Sequence, residues 1–294
     1  MTKRRRFRLR LGSRTLVLGE RTLVMGVLNV TPDSFSDAGL YLDLQSAVAH
    51  ALAMERAGAD IIDIGAESTR PGSLPVSAAD QIAHLLPVLR KLRGNLRVPI
   101  SVDTRSAEVA EAAADAGVQI LNDVSALRSD SDLAAVVARH RMAVILMHMR
   151  GTPATMQRGP FARDAMRDVV AGLRAAVRQA RAAGVSKDRI VLDPGFGFGK
   201  RHAQNFELLA RLPELARLGF PILVGPSRKS SIGWAQVGER KSRKKDLPPV
   251  NERLWGTAAA VTAAILGGAH IVRAHDVAEM VQVARVADAV LHSA

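Results

Sequence analysis

The sequence contains no cysteine, which excludes disulfides and thiolate metal centres and suits a reducing, cytoplasmic setting. Aromatic residues make up only 3% of the chain, too few for the stacking platforms on which single-stranded nucleic acids lie. No apolar run is long enough to cross a membrane, and the amino end lacks the apolar stretch of a signal peptide. Acidic charge is also short: 28 Asp and Glu against 41 Lys and Arg leave a net charge of +13. The excess collects in TKRRRFRLRLGSR at the amino end and in ERKSRKK over 239–245. With so few aromatics it reads as a solvated basic surface, and neither a nucleic-acid nor a membrane partner is expected.

What is present is a repeat of short apolar strands and alanine-rich helices. Phe7, Leu9 and Leu11 alternate with Arg8 and Arg10, Gly12 and Ser13 make a turn, and Thr15 to Leu18 return, so a β-hairpin is expected within residues 1–22. From residue 23 the strands are expected at 23–30, 59–65, 98–104, 118–124, 143–149, 190–196, 221–227 and 269–275. Helices are expected at 43–57, 77–93, 106–115, 130–140, 163–183, 203–217, 252–267 and 277–291, with entry signals such as Ser106 and Asp276. Strict alternation implies a parallel sheet, and eight units of nearly continuous apolar strands favour closure. The fold expected is therefore α/β, a single (β/α)8 TIM barrel over residues 1–294 with an N-terminal hairpin and a long basic loop at 233–250. An open doubly wound sheet is the alternative, but its GxGxxG mark is missing after the first strand, which ends in NVTPDSFSD.

The stretch IVLDPGFGFGK, 190–200, shows how such a barrel would present chemistry. A branched apolar run meets one carboxylate, Asp193, and then Pro194 with Gly195, Gly197 and Gly199 turn the chain sharply out of the sheet. It is not a phosphate-binding P-loop, because Arg201 follows Lys200 where Ser or Thr is required. Other strands end in the same way, on Asn29, Glu67, Asp103, Asn122, His148, Ser227 to Lys229, and Arg273 with His275. In a closed barrel these ends share one mouth.

Two chemistries follow from that convergence. Asp103, Asn122, Asp193 and Lys229 suit a flat heterocycle with several N–H donors and a carbonyl, although an acid/base pair or a buried Asp193–Lys229 ion pair would use the same residues. Closure also sets the last strand beside the first, so Arg273 and His275 are expected near Asn29. Together they suit a phosphate group and a hard cation such as Mg2+. Phe196 and Phe198 are either apolar walls or core.

Eight motifs in order resemble the dihydropteroate synthase family: GVLNVTPDSFSD (26–37), DIGAESTRPG (63–72), SVDT (101–104), NDV (122–124), MHMRGTP (147–153), LDPGFGFGK (192–200), SRKSSIG (227–233) and VRAHDV (272–277). The resemblance implies a folate-pathway transferase that joins p-aminobenzoate to 6-hydroxymethyl-7,8-dihydropterin diphosphate. It places the pterin on Asp103, Asn122, Asp193 and Lys229, and the diphosphate on Asn29, Arg70, Arg273 and His275, with Asn29 on Mg2+. Asp193, Lys229, Arg273 and His275 become the catalytic residues by that resemblance, and Phe35, Thr69, Pro71, Phe198 and Ser230 shape the p-aminobenzoate pocket where sulfonamides compete. It further implies a cytoplasmic homodimer and closure of the loops 31–42 and 67–76 over the departing anion. Arg150 and Ala274 stand where the family usually has Gln and Val, and neither removes an implied ligand. A methyltransferase barrel acting on a methylated folate would explain the pterin side but not NVTPDSFSD, STRPG, SRKS or RAHDV.

Overall fold

A computed structural model describes residues 4–30, 40–69, 72–238 and 243–293. The chain opens with an antiparallel hairpin, β1 (Phe7–Leu11) and β2 (Arg14–Leu18), in which Phe7 faces Leu18 and Leu11 faces Arg14. There follow β3 (Leu23–Asn29), α1 (Leu40–Arg56), β4 (Ile61–Gly65), α2 (Ala78–Leu92), β5 (Ile100–Asp103), α3 (Ala107–Asp115), β6 (Ile120–Asp123) and α4 (Leu133–Arg139). The second half continues with β7 (Ala143–Met147), α5 (Ala165–Ala182), β8 (Ile190–Asp193), α6 (His202–Ala210), α7 (Leu212–Ala216), β9 (Leu223–Val224), α8 (Ser230–Val237), α9 (Leu254–Leu266), β10 (Ile271–Ala274) and α10 (Val277–His292).

Strands β3 to β10 form one parallel sheet in the order β8-β7-β6-β5-β4-β3-β10-β9, and a parallel bridge between Leu192 and Ile222 joins its two ends into a barrel. All eight expected strands are present, each shorter than its apolar run, with five of them beginning two residues later than expected and most ending earlier as the chain turns into the loops of the mouth.

Three helical features differ from expectation. The stretch 203–217 is two helices, since Pro213 has no N–H to offer the preceding turn. The beginning of the stretch 233–250 belongs to α8, and 3-10 turns at Lys244–Asp246 and Val250–Arg253 interrupt the rest. Ser106 does cap α3 by accepting from Val109 N, but Asp276 makes no side-chain cap on α10, because Arg228 takes its carboxylate.

The barrel interior is layered. Near the amino-terminal ends of the strands, Met25, Ile61, Ile120, Ile145, Val191, Leu223 and Ile271 fill the axis, and Leu9, Leu11 and Leu18 of the hairpin close it from below. Buried side chains of this size contribute roughly 1.5–3 kcal/mol each. Arg4 ties this end to the last helix, donating to Thr22 Oγ1 at 2.7 Å, Ala269 O at 2.8 Å and Asp288 Oδ1 at 2.9 Å. With one end plugged by the hairpin, the polar residues at the carboxyl ends of the strands lie at the opposite end of the barrel.

Candidate active site

Alternation along each strand decides which side chains reach the axis. Ile61, Ile120, Val191 and Ile271 belong to the apolar interior layer, so Asp63, Asn122, Asp193 and Arg273, each two residues further on, sit on the same inward face. Asp103 joins them from β5, paired in register with Gly65 on one side and Asn122 on the other. Gly65 makes room for it, since a Cβ there would lie 3.3 Å from the Asp103 Cβ.

These residues are directly connected. Arg273 donates from Nε to Asp63 Oδ2 at 2.6 Å and from Nη2 to Asp103 Oδ2 at 2.9 Å, while Asn122 Nδ2 donates to Asp63 Oδ2 at 2.9 Å. The other oxygens, Asp63 Oδ1 and Asp103 Oδ1, are buried with no hydrogen-bond partner, as is Ser101 Oγ beneath them. Unpaired buried acceptors cost free energy unless a ligand's donors reach them, which makes this floor a receptor for N–H groups. Burial pushes the Asp103 carboxyl up to about 7, Arg273 opposes the rise and Asp63 adds to it.

Asp193 lies two strands beyond Asn122, on β8. Its Oδ1 accepts Gly195 N–H at 2.7 Å, and burial pushes its carboxyl up to about 6 against that bond and against Lys200, Lys229 and Arg273. Beyond burial, Asp63 and Asp123 push the Asp103 carboxyl up while Arg273 and Lys229 oppose them, and Lys200, itself pushed down to about 7 by burial, lies near Asp193, so acidic and basic groups offset one another in the mouth. The Lys229 ammonium stands 4.0 Å from the centre of the Phe198 ring, a cation–π contact. Phe198 packs with Val124, Met147, Met149 and Met156 beside this contact, whereas Phe196 is core, edge-on to Phe206.

The turn carrying Lys229 is held from three sides. Arg228 adopts a left-handed φ of +58°. Its N–H donates to Thr257 Oγ1 at 3.1 Å, its carbonyl accepts from Arg253 and its guanidinium pairs with Asp276. Ser227 Oγ lies 3.0 Å from His275 Nδ1 and accepts the His275 backbone N–H at 3.2 Å. With the Ser227 hydroxyl turned to donate to Nδ1, the ring proton would sit on Nε2. Burial, with Arg273, Arg228 and Lys229 nearby, pushes His275 down to about 4, so it is a neutral N–H donor at neutral pH.

The expected convergence is partial. Asp103, Asn122, Asp193, Lys229 and Arg273 meet, and β10 pairs with β3 as closure requires. Asn29, however, is exposed at the tip of β3, four residues past Met25, the partner of Arg273, and the Arg273 guanidinium turns down onto the two carboxylates. Glu67 is taken by Arg105 at 2.8 Å, and His148 lies behind β7 and β8, facing Lys200 and Asp168. Thr69 is half-buried and Ser230 exposed at the start of α8. Phe35, Arg70 and Pro71, most of the loop 31–42 and residues 239–242 of the basic segment lie outside the described residues.

Two residues were missed from sequence. Asp63 is the one charge in IIDIG, a fully buried strand, and a carboxylate in that position needs a partner. Lys200 carries no such signal, because a lysine after a glycine-rich turn reads as exposed. As for a cation, Asn29 offers one neutral oxygen. Among the described residues the only acidic and histidine cluster of ligand geometry, Glu111, Asp115 and His140, lies on the outer helices, where Arg139 and His140 already engage Glu111.

Fold and site together define a barrel enzyme whose mouth gathers buried carboxylates, an amide and basic side chains. Comparison with known proteins gives this class its name. Residues 25–275 match the family model described as pterin binding enzyme. Dihydropteroate synthase of Synechocystis sp. is 47% identical over 278 residues, spanning 95% of this chain and 91% of that protein. Among solved structures, Yersinia pestis dihydropteroate synthase in a sulfonamide drug complex superposes with a TM-score of 0.88 at 40% identity, covering 98% of this chain and 100% of that one. Xanthomonas albilineans dihydropteroate synthase in complex with 7,8-dihydropteroate gives 0.83 at 40% identity, over 96% and 98% of the two chains. The chain belongs to the pterin-binding enzymes and, within them, to the dihydropteroate synthases, transferases of folate synthesis.

Proposed function

We propose that the mouth binds 6-hydroxymethyl-7,8-dihydropterin diphosphate and p-aminobenzoate, and joins them to 7,8-dihydropteroate with release of pyrophosphate. The unpaired buried oxygens of Asp63 and Asp103, beside Asn122 and Asp193, are the observation that carries this reading. An amino-pyrimidinone edge offers parallel N–H donors that match such acceptors, and Asp103, Asn122, Asp193 and Lys229 hold the ring.

The diphosphate lies towards β3 and β10, with Asn29, Arg273 and His275, and with Arg70 from the loop after β4. Arg273 spends Nε and Nη2 on carboxylates, and its guanidinium carries further donors for the anion. His275 contributes Nε2–H. Asn29 fits Mg2+ as a single neutral ligand to a cation whose other oxygens come mainly from the diphosphate. When bound, Mg2+ would offset charge on the leaving group.

In the reaction the bond from the exocyclic CH2 to the diphosphate oxygen breaks, and its electron pair leaves with pyrophosphate. The CH2 carbon, conjugated to the electron-rich ring, is attacked by the aniline nitrogen, which then loses a proton. The ionised carboxylates of Asp103 and Asp193 favour the positive charge that develops on the ring, while Arg273 and His275 hold the departing anion. Phe198 and Ser230, with Thr69 and with Phe35 and Pro71, frame the p-aminobenzoate and sulfonamide pocket. The chain works as one barrel domain, cytoplasmic and homodimeric, consistent with exposed apolar Trp255 on α9 and Val286 and Val290 on α10.

Steady-state kinetics test the division of the mouth. Asn122→Ala should raise KM for the pterin substrate about tenfold, with the p-aminobenzoate KM changed less than about twofold. Equal rises in both would contradict the assignment.

A further inference from the structure

Lys200 is only 4% exposed, yet nothing in the reaction above uses it. Its ammonium lies 2.9 Å from Gly195 O, 2.9 Å from Phe198 O and 3.2 Å from His148 O, so three carbonyls meet three N–H donors. His148 Nδ1 approaches from a fourth side at 3.3 Å, while His148 Nε2 faces Asp168 Oδ2 at 3.4 Å. That arrangement puts the ring proton on Nε2 and points the Nδ1 lone pair at the ammonium.

The three carbonyls are not equivalent bystanders. The Gly195 peptide gives its carbonyl to Lys200 and its N–H to Asp193 Oδ1 at 2.7 Å. Phe198 carries the ring under Lys229, and its N–H returns to Gly195 O at 3.1 Å. His148 closes the link between neighbouring strands, donating its N–H to Asp193 O at 2.9 Å. Gly195, at φ +70°, admits no side chain, since a Cβ would fall 1.9 Å from the His148 carbonyl oxygen. One buried lysine, pushed down to about 7 by burial with Asp193 and Asp168 opposing, thus gathers the loop 194–199 onto the end of β7, beneath both Asp193 and Phe198. It also lies close enough to Asp193 to favour the ionised carboxylate.

We propose that Lys200 is a positioning residue of the pterin site, whose buried ammonium clips the His148, Gly195 and Phe198 carbonyls and so presets the Asp193 carboxylate and the Phe198 ring for the ligand. This rests on the reading that the pterin lies on Asp193. The clip acts through two neighbours, one peptide away from the carboxylate. It leaves Asn122 and the Asn29 end of the mouth untouched.

The test is a binding cycle on the full-length protein, with 6-hydroxymethylpterin as the probe and Lys200→Met, Asp193→Asn and the double variant compared with wild type. Lys200→Met should weaken binding about tenfold and move its acidic limb to higher pH, because a positive charge beside Asp193 is gone. The double variant should bind no worse than about twofold below Asp193→Asn, as expected for residues acting in series. Additive losses, or a pH limb that stays in place, would mean a general packing role and overturn the proposal. If Asp193→Asn itself leaves pterin binding unchanged, the pterin reading fails; if it abolishes binding while Lys200→Met does not weaken it, only the Lys200 proposal fails. Wild-type protein supplies an arm free of folding defects, through hydrogen exchange of the 195–199 amides. A preset loop is protected before ligand is added and gains little with 6-hydroxymethylpterin, whereas rapid exchange that slows only on binding would contradict the clip.

Discussion

Asp193 and Asp103 show how function sets itself against stability at the level of single residues. Both carboxyls are raised, to about 6 and about 7, with burial as the main cause. A carboxylate raised above its unfolded value favours folding in the acid range and loses that contribution as pH climbs through the folded pKa, so both groups destabilise the ligand-free protein above about pH 7. Asp193→Asn should therefore raise Tm at pH 8, by the equivalent of roughly 1–3 kcal/mol, while lowering turnover at least a hundredfold. Thermal melts at pH 5 and pH 8 check it: the gain should shrink at the lower pH, and a loss of Tm at pH 8 would contradict the account. By the same groups, pterin affinity should rise with pH between about 5 and 8, as the acceptors ionise. Asp63→Asn tests the residue missing from the sequence reading. With one of its two carboxylates gone, Arg273 should lose its fixed position, and kcat should fall at least tenfold with the fold retained on circular dichroism. The strand-end residues were legible because each polar group interrupted an apolar run beside a turn. Asp63 was not, because it sits inside the run, and neither was the inward turn of Arg273, which depends on a partner two strands away.

Among the elements, the hairpin β1–β2 separates stability from catalysis. Leu9 and Leu11 are buried against the lower barrel layer, at the end opposite the mouth. Leu11→Ala should cost about 2–5 kcal/mol by denaturant unfolding and leave both KM values unchanged within about twofold. A large KM change would mean that the plug and the mouth are coupled. The hairpin and all eight barrel strands were readable from alternation and apolar runs, since period and turn chemistry act locally. The break between α6 and α7 and the helix α8 were not. Pro213 sat in an otherwise helical pattern, and α8 takes its place from packing against neighbouring helices rather than from a strong local start signal.

For the molecule as a whole, closure turns separate strand ends into one site. Two residues 210 apart in sequence, Asp63 and Arg273, bond at 2.6 Å only because β10 returns to β3 and β3 pairs with β4. The basic clusters at the amino end and in 239–245 supply none of the residues assigned to the pterin, so increasing salt should leave pterin affinity nearly unchanged. The central claim is that this mouth performs a p-aminobenzoate-dependent displacement of pyrophosphate. Its most direct test is pyrophosphate release from 6-hydroxymethyl-7,8-dihydropterin diphosphate with Mg2+, with and without p-aminobenzoate, in wild type and Asp193→Asn. Sustained release that requires p-aminobenzoate and collapses in Asp193→Asn is the result predicted; pterin binding with no release in wild type would contradict it.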